Sequence, residues 1–193
     1  MDFKVEDFKC SELKDGNFVK PCFATFKLNG EERDWEIVQA SDSVAILIYN
    51  RDSNSFVCVK QFRPAVYLQD KSTTGVTLEL CAGILDKDLS LEEIASEEIY
   101  EECGFKVEAD KLSKITSFYT SVGFAGSKQH LYFAEVNESM RINAGGGVAG
   151  EETIEVVEIP LCKAKEVMYD ESIPKTPGLL YAFNWFLAKK GNL

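Results

Sequence analysis

Apolar and polar positions alternate almost one by one over residues 18–38, the two-residue period of strands with one covered face. Phe18-Val19 and Phe23-Ala24-Thr25-Phe26-Lys27-Leu28 lead into Asn29-Gly30, and Arg33-Asp34-Trp35-Glu36-Ile37-Val38 returns. Asn-Gly is the dipeptide best suited to the left-handed turn of a tight hairpin, so this stretch predicts a small antiparallel sheet. From residue 43 the alternation gives way to solid apolar runs. Residues 43–49 predict a buried strand, 50–55 its turn and 56–62 its hairpin partner. Residues 75–82, 115–119, 129–136 and 154–159 predict further strands. Helices are predicted over 90–103, 161–169 and 179–190. Hairpins and helices are mixed without repeating strand–helix–strand units, which points to an α+β class. The change of character near residue 40 divides the chain into an N-terminal antiparallel sheet, 1–40, and a larger domain, 41–193. The N-terminal sheet has too little apolar surface to stand alone, so it is expected to cross onto a second copy in a homodimer.

Composition narrows the partners. With 193 residues, 45% of them hydrophobic, the chain can bury a sizeable core. A formal net charge of -11 argues against nucleic acid and anionic membranes, which are bound through Lys and Arg. It leaves anionic small molecules open, because acidic proteins bind phosphates through metal ions and a few local cations. No apolar run approaches the roughly 20 residues of a membrane span. The mixed-charge start, Met1-Asp2-Phe3-Lys4-Val5-Glu6, does not read as a secretory signal. Six scattered cysteines without a C-x-x-C pair read as reduced, packed thiols of a cytoplasmic protein. One histidine and unsuitable cysteine spacing argue against zinc, and that histidine, His130, is expected to do no chemistry.

The segment between Gly83 and Phe105 carries the candidate chemistry. Ser90 with Glu93 three residues on forms a capping box, and Gly104 closes the helix. Between them stand Glu92, Glu93, Glu97, Glu98, Glu101 and Glu102 with no Lys or Arg, several as like-charge pairs one turn apart. At about 100° per residue, Leu91, Ile94, Ala95, Ile99 and Cys103 form an apolar stripe. Glu98 and Glu102 fall inside it and Glu101 at its edge; Glu92, Glu93 and Glu97 read as a solvated acidic face. Buried carboxylates are costly unless a cation compensates them. Oxygen ligands one turn apart suit Mg²⁺, which takes one or two carboxylates plus substrate phosphate oxygens. An EF-hand over 86–97 is disfavoured, because Leu91 stands where that loop requires Gly and a strand precedes it.

This segment resembles the Nudix box, Gx5Ex7REUxEExGU with U apolar. Gly83, Glu98, Ile99, Glu101, Glu102, Gly104 and Phe105 match, whereas Leu89 replaces the first glutamate and Glu97 the arginine. Four further pieces, in the right order, resemble the family's nucleoside diphosphate sugar branch. They are Gln61-Phe62-Arg63; Glu79-Leu80-Cys81-Ala82-Gly83; Ser121-Val122-Gly123; and Gly145-Gly146-Gly147 followed by Glu151-Glu152. The resemblance implies the α/β/α sandwich of that family. It also implies Mg²⁺-dependent (or Mn²⁺-dependent) hydrolysis of the diphosphate bond of nucleoside diphosphate sugars, with UDP-glucose giving UMP and glucose 1-phosphate. ADP-ribose or ADP-sugar hydrolysis, or a catalytically weak nucleotide-binding module, are the alternatives. By the same resemblance Glu98, Glu102 and the Ala82 carbonyl ligate the metal, and Glu101 shares or positions a second ion. Arg63 holds a phosphate, unless it is a surface ion pair; Glu79, Ser121 and Gly123 complete the substrate site. Glu152, or else Glu151, supplies the base from a loop that Gly145, Gly146 and Gly147 make mobile. Trp35 stacks on the base in a swapped dimer, or else is an ordinary core or dimer-interface aromatic.

Overall fold

The computed structural model describes residues 3–14, 16–148 and 153–191. The first hairpin forms as the alternation requires. β1 (Val19–Leu28) and β2 (Glu31–Ala40) pair antiparallel around Asn29 and Gly30, both at positive φ. The two strands form a sheet of their own; β1 joins the two expected stretches into one strand, and β2 runs beyond the expected 33–38 at both ends. Directly paired residues share a face, so Cys22, Ala24, Phe26 and Leu28 lie with Trp35 and Ile37 on one side. Most of this surface is open: Phe26, Leu28 and Trp35 are exposed, as is Phe23 on the opposite face. The hairpin is tied to the main body by Val38 N–H donating to the Phe124 carbonyl at 2.7 Å.

The main sheet has seven strands around β3 (Ser43–Asn50). On one side β3 runs parallel to β8 (Lys128–Val136), which in turn pairs antiparallel with β7 (Ser113–Tyr119). On the other side β3 pairs with β4 (Ser55–Phe62), but only over Ile48–Asn50 against Ser55–Val57. Beyond that the two strands part, and a crossing segment fills the gap. β5 (Val76–Glu79) pairs with β4, and β6 (Cys81–Ile84) pairs with β3. Residues 75–82 are therefore not the single strand predicted; Leu80 marks the change of partner. β9 (Ile154–Pro160) covers the far side of β4.

Alternation on β3 sends side chains to two cores. Val44, Ile46 and Ile48 pack against Ile94, Ala95, Ile99 and Cys103 of α2 (Leu91–Cys103). Ala45, Leu47 and Tyr49 pack against Leu179, Ala182, Phe183 and Phe186 of α4 (Pro177–Gly191), with Ala164 of α3 (Ala164–Tyr169). Each fully buried Ile or Leu here contributes about 1.5–3 kcal/mol relative to exposure. α3 occupies only the last two thirds of the helix expected over 161–169; a 3-10 turn, Leu161–Lys163, precedes it. One helix was not anticipated. α1 (Pro64–Gln69) starts at Pro64, whose fixed φ suits a first turn, and buries no residue, so it leaves no apolar stripe to read. No helix among the described residues is long and apolar enough to cross a membrane.

All six cysteines are free thiols. Cys58, Cys81 and Cys103 are packed as expected, but Cys10 and Cys162 are exposed, so the reading of packed thiols does not extend to them.

Candidate active site

α2 is the organising element. Ser90 caps it by accepting from Glu93 N–H, and the Glu93 carboxylate accepts from Ser90 N–H in return. Gly104 at φ 76 ends the helix in the left-handed conformation. The C-terminal carbonyls of Glu101 and Glu102 are not left to water: Gly147 N–H donates to the first at 3.1 Å and Gly146 N–H to the second at 2.9 Å. Gly145 makes the approach possible. It sits at φ +69, and a Cβ there would lie 2.2 Å from the Glu102 carbonyl oxygen. Gly145, Gly146 and Gly147 thus seat their stretch of chain on the helix end.

The acidic side chains of α2 go to different places. Glu102 is buried at 2% exposure, as the stripe predicts, and its carboxylate accepts from Ala82 N–H at 2.9 Å. Ala82 opposes Ala45 in the β3–β6 ladder. Glu98 is half-buried and lies over Gly83, so closely that a Cβ on Gly83 would sit 2.0 Å from its Oε1. Only a glycine fits beneath that carboxylate. Glu101 is half-buried beside it. The three others are more engaged than a solvated face would be. Glu93 completes the cap, Glu92 accepts from the buried Tyr132 hydroxyl at 2.8 Å, and Glu97 pairs with Lys87 at 2.7 Å. Burial, then the Glu92 hydrogen bond, pushes the Tyr132 hydroxyl well above its ordinary value. Burial likewise pushes the Cys81 thiol up, reinforced by Cys103 and by the Glu102 carboxylate. The Glu97 hydrogen bond holds the Lys87 ammonium above its usual value against the effect of desolvation, with the charges of Glu97, Glu101 and Glu98 adding to it.

Arg63 comes from the other wall. It follows the last residue of β4, and its backbone N–H still donates to Gly75 across the strand pair at 2.8 Å. The register that opposes Gln61 to Thr77 and Val59 to Glu79 brings the Glu79 carboxylate under the guanidinium. Nε donates to Oε1 at 2.6 Å and Nη2 to Oε2 at 2.8 Å, and the Thr77 hydroxyl also donates to Glu79. A buried carboxylate thus fixes the plane of a half-exposed guanidinium. Glu79, expected to touch substrate, is occupied in orienting Arg63 and is itself a wall residue.

One cavity of about 580 Å³ collects these groups. Arg63, Glu79, Ala82, Gly83, Glu98 and Glu101 line it, with Glu102 buried behind Ala82. Sequence reasoning missed Phe18, Ser43, Gln61, Asp86, Lys87, Gln129 and Val148, which line it too. For Lys87 a signal existed: it is the one cation between Gly83 and the helix start, beside a run of glutamates. The remaining expected residues form a second group. Trp35 Nε1 donates to the Gly123 carbonyl at 2.7 Å, and Ser121, at φ 49, heads that turn by accepting from Phe124 N–H at 3.0 Å and Ala125 N–H at 2.8 Å. None of the three lines the cavity of this copy. Glu151 and Glu152 lie outside the described residues.

Among the described residues no three Asp, Glu, His or Cys side chains form a ready cation cage. The donor set nevertheless has one chemistry. It is all oxygen and anionic, from Glu98, Glu101 and Glu102 on one helix beside the Ala82 backbone, which fits a hard divalent cation and not zinc.

No family model matches the chain. Its relatives are informative. The uridine diphosphate glucose pyrophosphatase of Bos taurus is 39% identical, covering 96% of this chain and 95% of its own length. The Mus musculus enzyme of the same name is 36% identical over 89% of each. The GDP-mannose pyrophosphatase of Cronobacter sakazakii is 39% identical over 86% of each. The chain belongs to the Nudix family, in its nucleoside diphosphate sugar branch. Within the Nudix box the two departures have separate settings. Leu89 is exposed in the loop before α2. Glu97 takes the arginine position and faces Lys87.

Proposed function

We propose that this protein is a hydrolase that splits the diphosphate bond of nucleoside diphosphate sugars, with UDP-glucose, giving UMP and glucose 1-phosphate, as its principal substrate. The observation that carries the reading is the meeting of Arg63 with Glu98 and Glu101 across one cavity, over the buried Glu102. A diphosphate needs a positioned cation on one side and anchored metal ligands on the other. The UDP-sugar assignment is supported by relatives named for UDP-glucose, one of them matching over 96% of the chain. GDP-mannose is the second reading, favoured by an equal 39% identity to the Cronobacter sakazakii enzyme.

The fold reading that accompanies this is the family's α/β/α sandwich, α2 on one face of the sheet and α3 with α4 on the other. Glu98, Glu102 and the Ala82 carbonyl are the residues that would hold Mg²⁺ (or Mn²⁺), with Glu101 at a second ion. The bound cation supplies charge neutralisation at the phosphate oxygens and lowers the barrier to attack by water. Arg63, its plane fixed by Glu79, holds a phosphate oxygen pair. Glu152, or in its place Glu151, takes the proton from the attacking water as the new phosphorus–oxygen bond forms and the bridging bond breaks. Residues 1–40 act as a separate unit that crosses onto a second copy in a homodimer. There Trp35, 56% exposed, presents its ring to the nucleobase while its N–H stays on Gly123. The substrate is a cytoplasmic small molecule, and no nucleic acid or membrane takes part.

The test is a hydrolysis panel with and without Mg²⁺ over UDP-glucose, UDP-galactose, GDP-mannose, ADP-ribose and ADP-glucose, products identified by chromatography. UDP-glucose should give the highest kcat/KM, with UMP and glucose 1-phosphate as products. A preference for ADP-ribose or GDP-mannose overturns the substrate assignment. Nucleotide binding without hydrolysis makes the protein a binding module.

A further inference from the structure

Lys87 and Glu97 form an ion pair that no part of the proposed reaction uses. They stand on two sides of the same wall. Lys87 lines the cavity with Glu98 and Glu101, whereas Glu97 lies on the neighbouring face of α2, beside Ser96 and Tyr100. The ammonium reaches from the loop before α2 to the Glu97 carboxylate at 2.7 Å. Lys87 and Arg63 are the only cations among the described residues of the cavity wall, which also carries four carboxylates: Glu79, Asp86, Glu98 and Glu101. Arg63 is committed to Glu79 by two hydrogen bonds. Lys87 is thus the cation that stands on the α2 side.

Glu97 would otherwise be a charge in the wrong place. It directly precedes Glu98, and Glu101 stands one turn further on. An added negative charge at that spacing repels its neighbouring carboxylates and the anionic substrate. A carboxylate without a partner is also a competing ligand for any cation bound by its neighbours.

We propose that Lys87 is a positioning residue which neutralises Glu97, holds it on the outer face of α2, and so keeps that side of the cavity receptive to a diphosphate. The inference rests on the functional reading above. It assigns Lys87 no contact with substrate: the residue acts through Glu97. The pair is half-exposed on both sides, so its effect is moderate and screened by salt.

The test is a double-mutant cycle, Lys87→Gln, Glu97→Gln and the two combined, with Lys87→Arg as the conservative variant. Lys87→Gln should raise KM for UDP-glucose by about two- to fivefold at low ionic strength with kcat little changed. The increase should shrink as salt is added, and Lys87→Arg should restore KM. The combined variant should return KM to near the wild-type value, because nothing is left to neutralise. An unchanged KM in Lys87→Gln overturns the proposal. So does a combined variant as impaired as Lys87→Gln, which would mean that Lys87 touches the substrate itself. Calorimetric titration with Mg²⁺ in the absence of substrate gives a second readout. Affinity should rise in Lys87→Gln, where an extra carboxylate is released, and fall back in the combined variant; the same affinity in both overturns the proposal. If the wild-type protein hydrolyses none of the sugar nucleotides, the functional reading fails, while this titration still decides the role of the pair.

Discussion

Replacing Gly83 by Ala separates the site from the fold more cleanly than any change to a charged residue. The backbone there has no positive φ, so alanine is conformationally acceptable. The obstacle is steric. The new Cβ would lie 2.0 Å from Oε1, 2.1 Å from Cδ and 2.6 Å from Cγ of Glu98. Ordinary contact needs about 3.4 Å or more, so the carboxyl group must retreat by more than about 1 Å. It is the far end of a flexible, half-buried side chain, so rotation relieves the clash at small cost to stability. We expect a change under about 1 kcal/mol, which moves the melting temperature by no more than about 2–4 °C in a chain of this size. Activity should respond far more, because displacing a catalytic group by about 1 Å costs on the order of 10²-fold. The assay pairs thermal unfolding with kcat/KM for UDP-glucose at saturating Mg²⁺. Glu98→Gln should be impaired to a similar degree, and adding Gly83→Ala to it should cost little more, since both act on one carboxylate. A folded Gly83→Ala protein with kcat/KM within about threefold of wild type would refute the reasoning: Glu98 would not be needed where the structure holds it.

Gly145→Ala should behave in the opposite way, because its Cβ would meet the Glu102 carbonyl oxygen at 2.2 Å with the backbone at φ +69. Neither can rotate away, so chemical denaturation should show a loss of about 1–3 kcal/mol, and an unchanged midpoint would contradict it. Arg63→Ala should raise KM and also destabilise by about 1–2 kcal/mol, less than a fully buried pair because the guanidinium is half-exposed. Adding Glu79→Gln should recover the stability but not the KM; recovery of both would remove Arg63 from the substrate site. Glu152→Gln should slow turnover by roughly 10²–10⁴-fold with binding intact, measured in single-turnover reactions; the same damage from Glu151→Gln instead would reassign the base. Light scattering at micromolar concentration should give a dimer, and a monomer would remove the crossing of residues 1–40 onto a second copy.

What was legible in the sequence follows from what each residue had to satisfy locally. α2 was readable end to end, because Ser90, Glu93 and Gly104 mark its limits by backbone hydrogen bonding. Glu102 was readable as buried because helical spacing alone places it among Ile99 and Cys103. The crossing at Leu80 was not, since no turn residue separates β5 from β6 and the switch of partner depends on β3 and β4 splaying. Nor was α1, which buries nothing. The ion pairs Arg63–Glu79 and Lys87–Glu97 were hidden for another reason: sheet register and loop path bring them together, and neither leaves a periodic trace. Resemblance named Arg63 and Glu79 as members of one site, but their mutual grip is a tertiary fact.

The parallel alignment of β3 with β8 has a consequence for how the protein folds. Ser43 opposes Gln129 and Asn50 opposes Val136, so the central pair of the sheet joins segments 86 residues apart. Closing so long a loop is entropically slow, whereas the β1–β2 and β3–β4 hairpins need only short loops. Until β8 arrives, the face of β3 that receives α2 lacks the neighbouring Tyr132, Ala134 and Val136. The chain must therefore be synthesised past Val136 before α2 has its complete bed and its carboxylates a fixed wall to stand on.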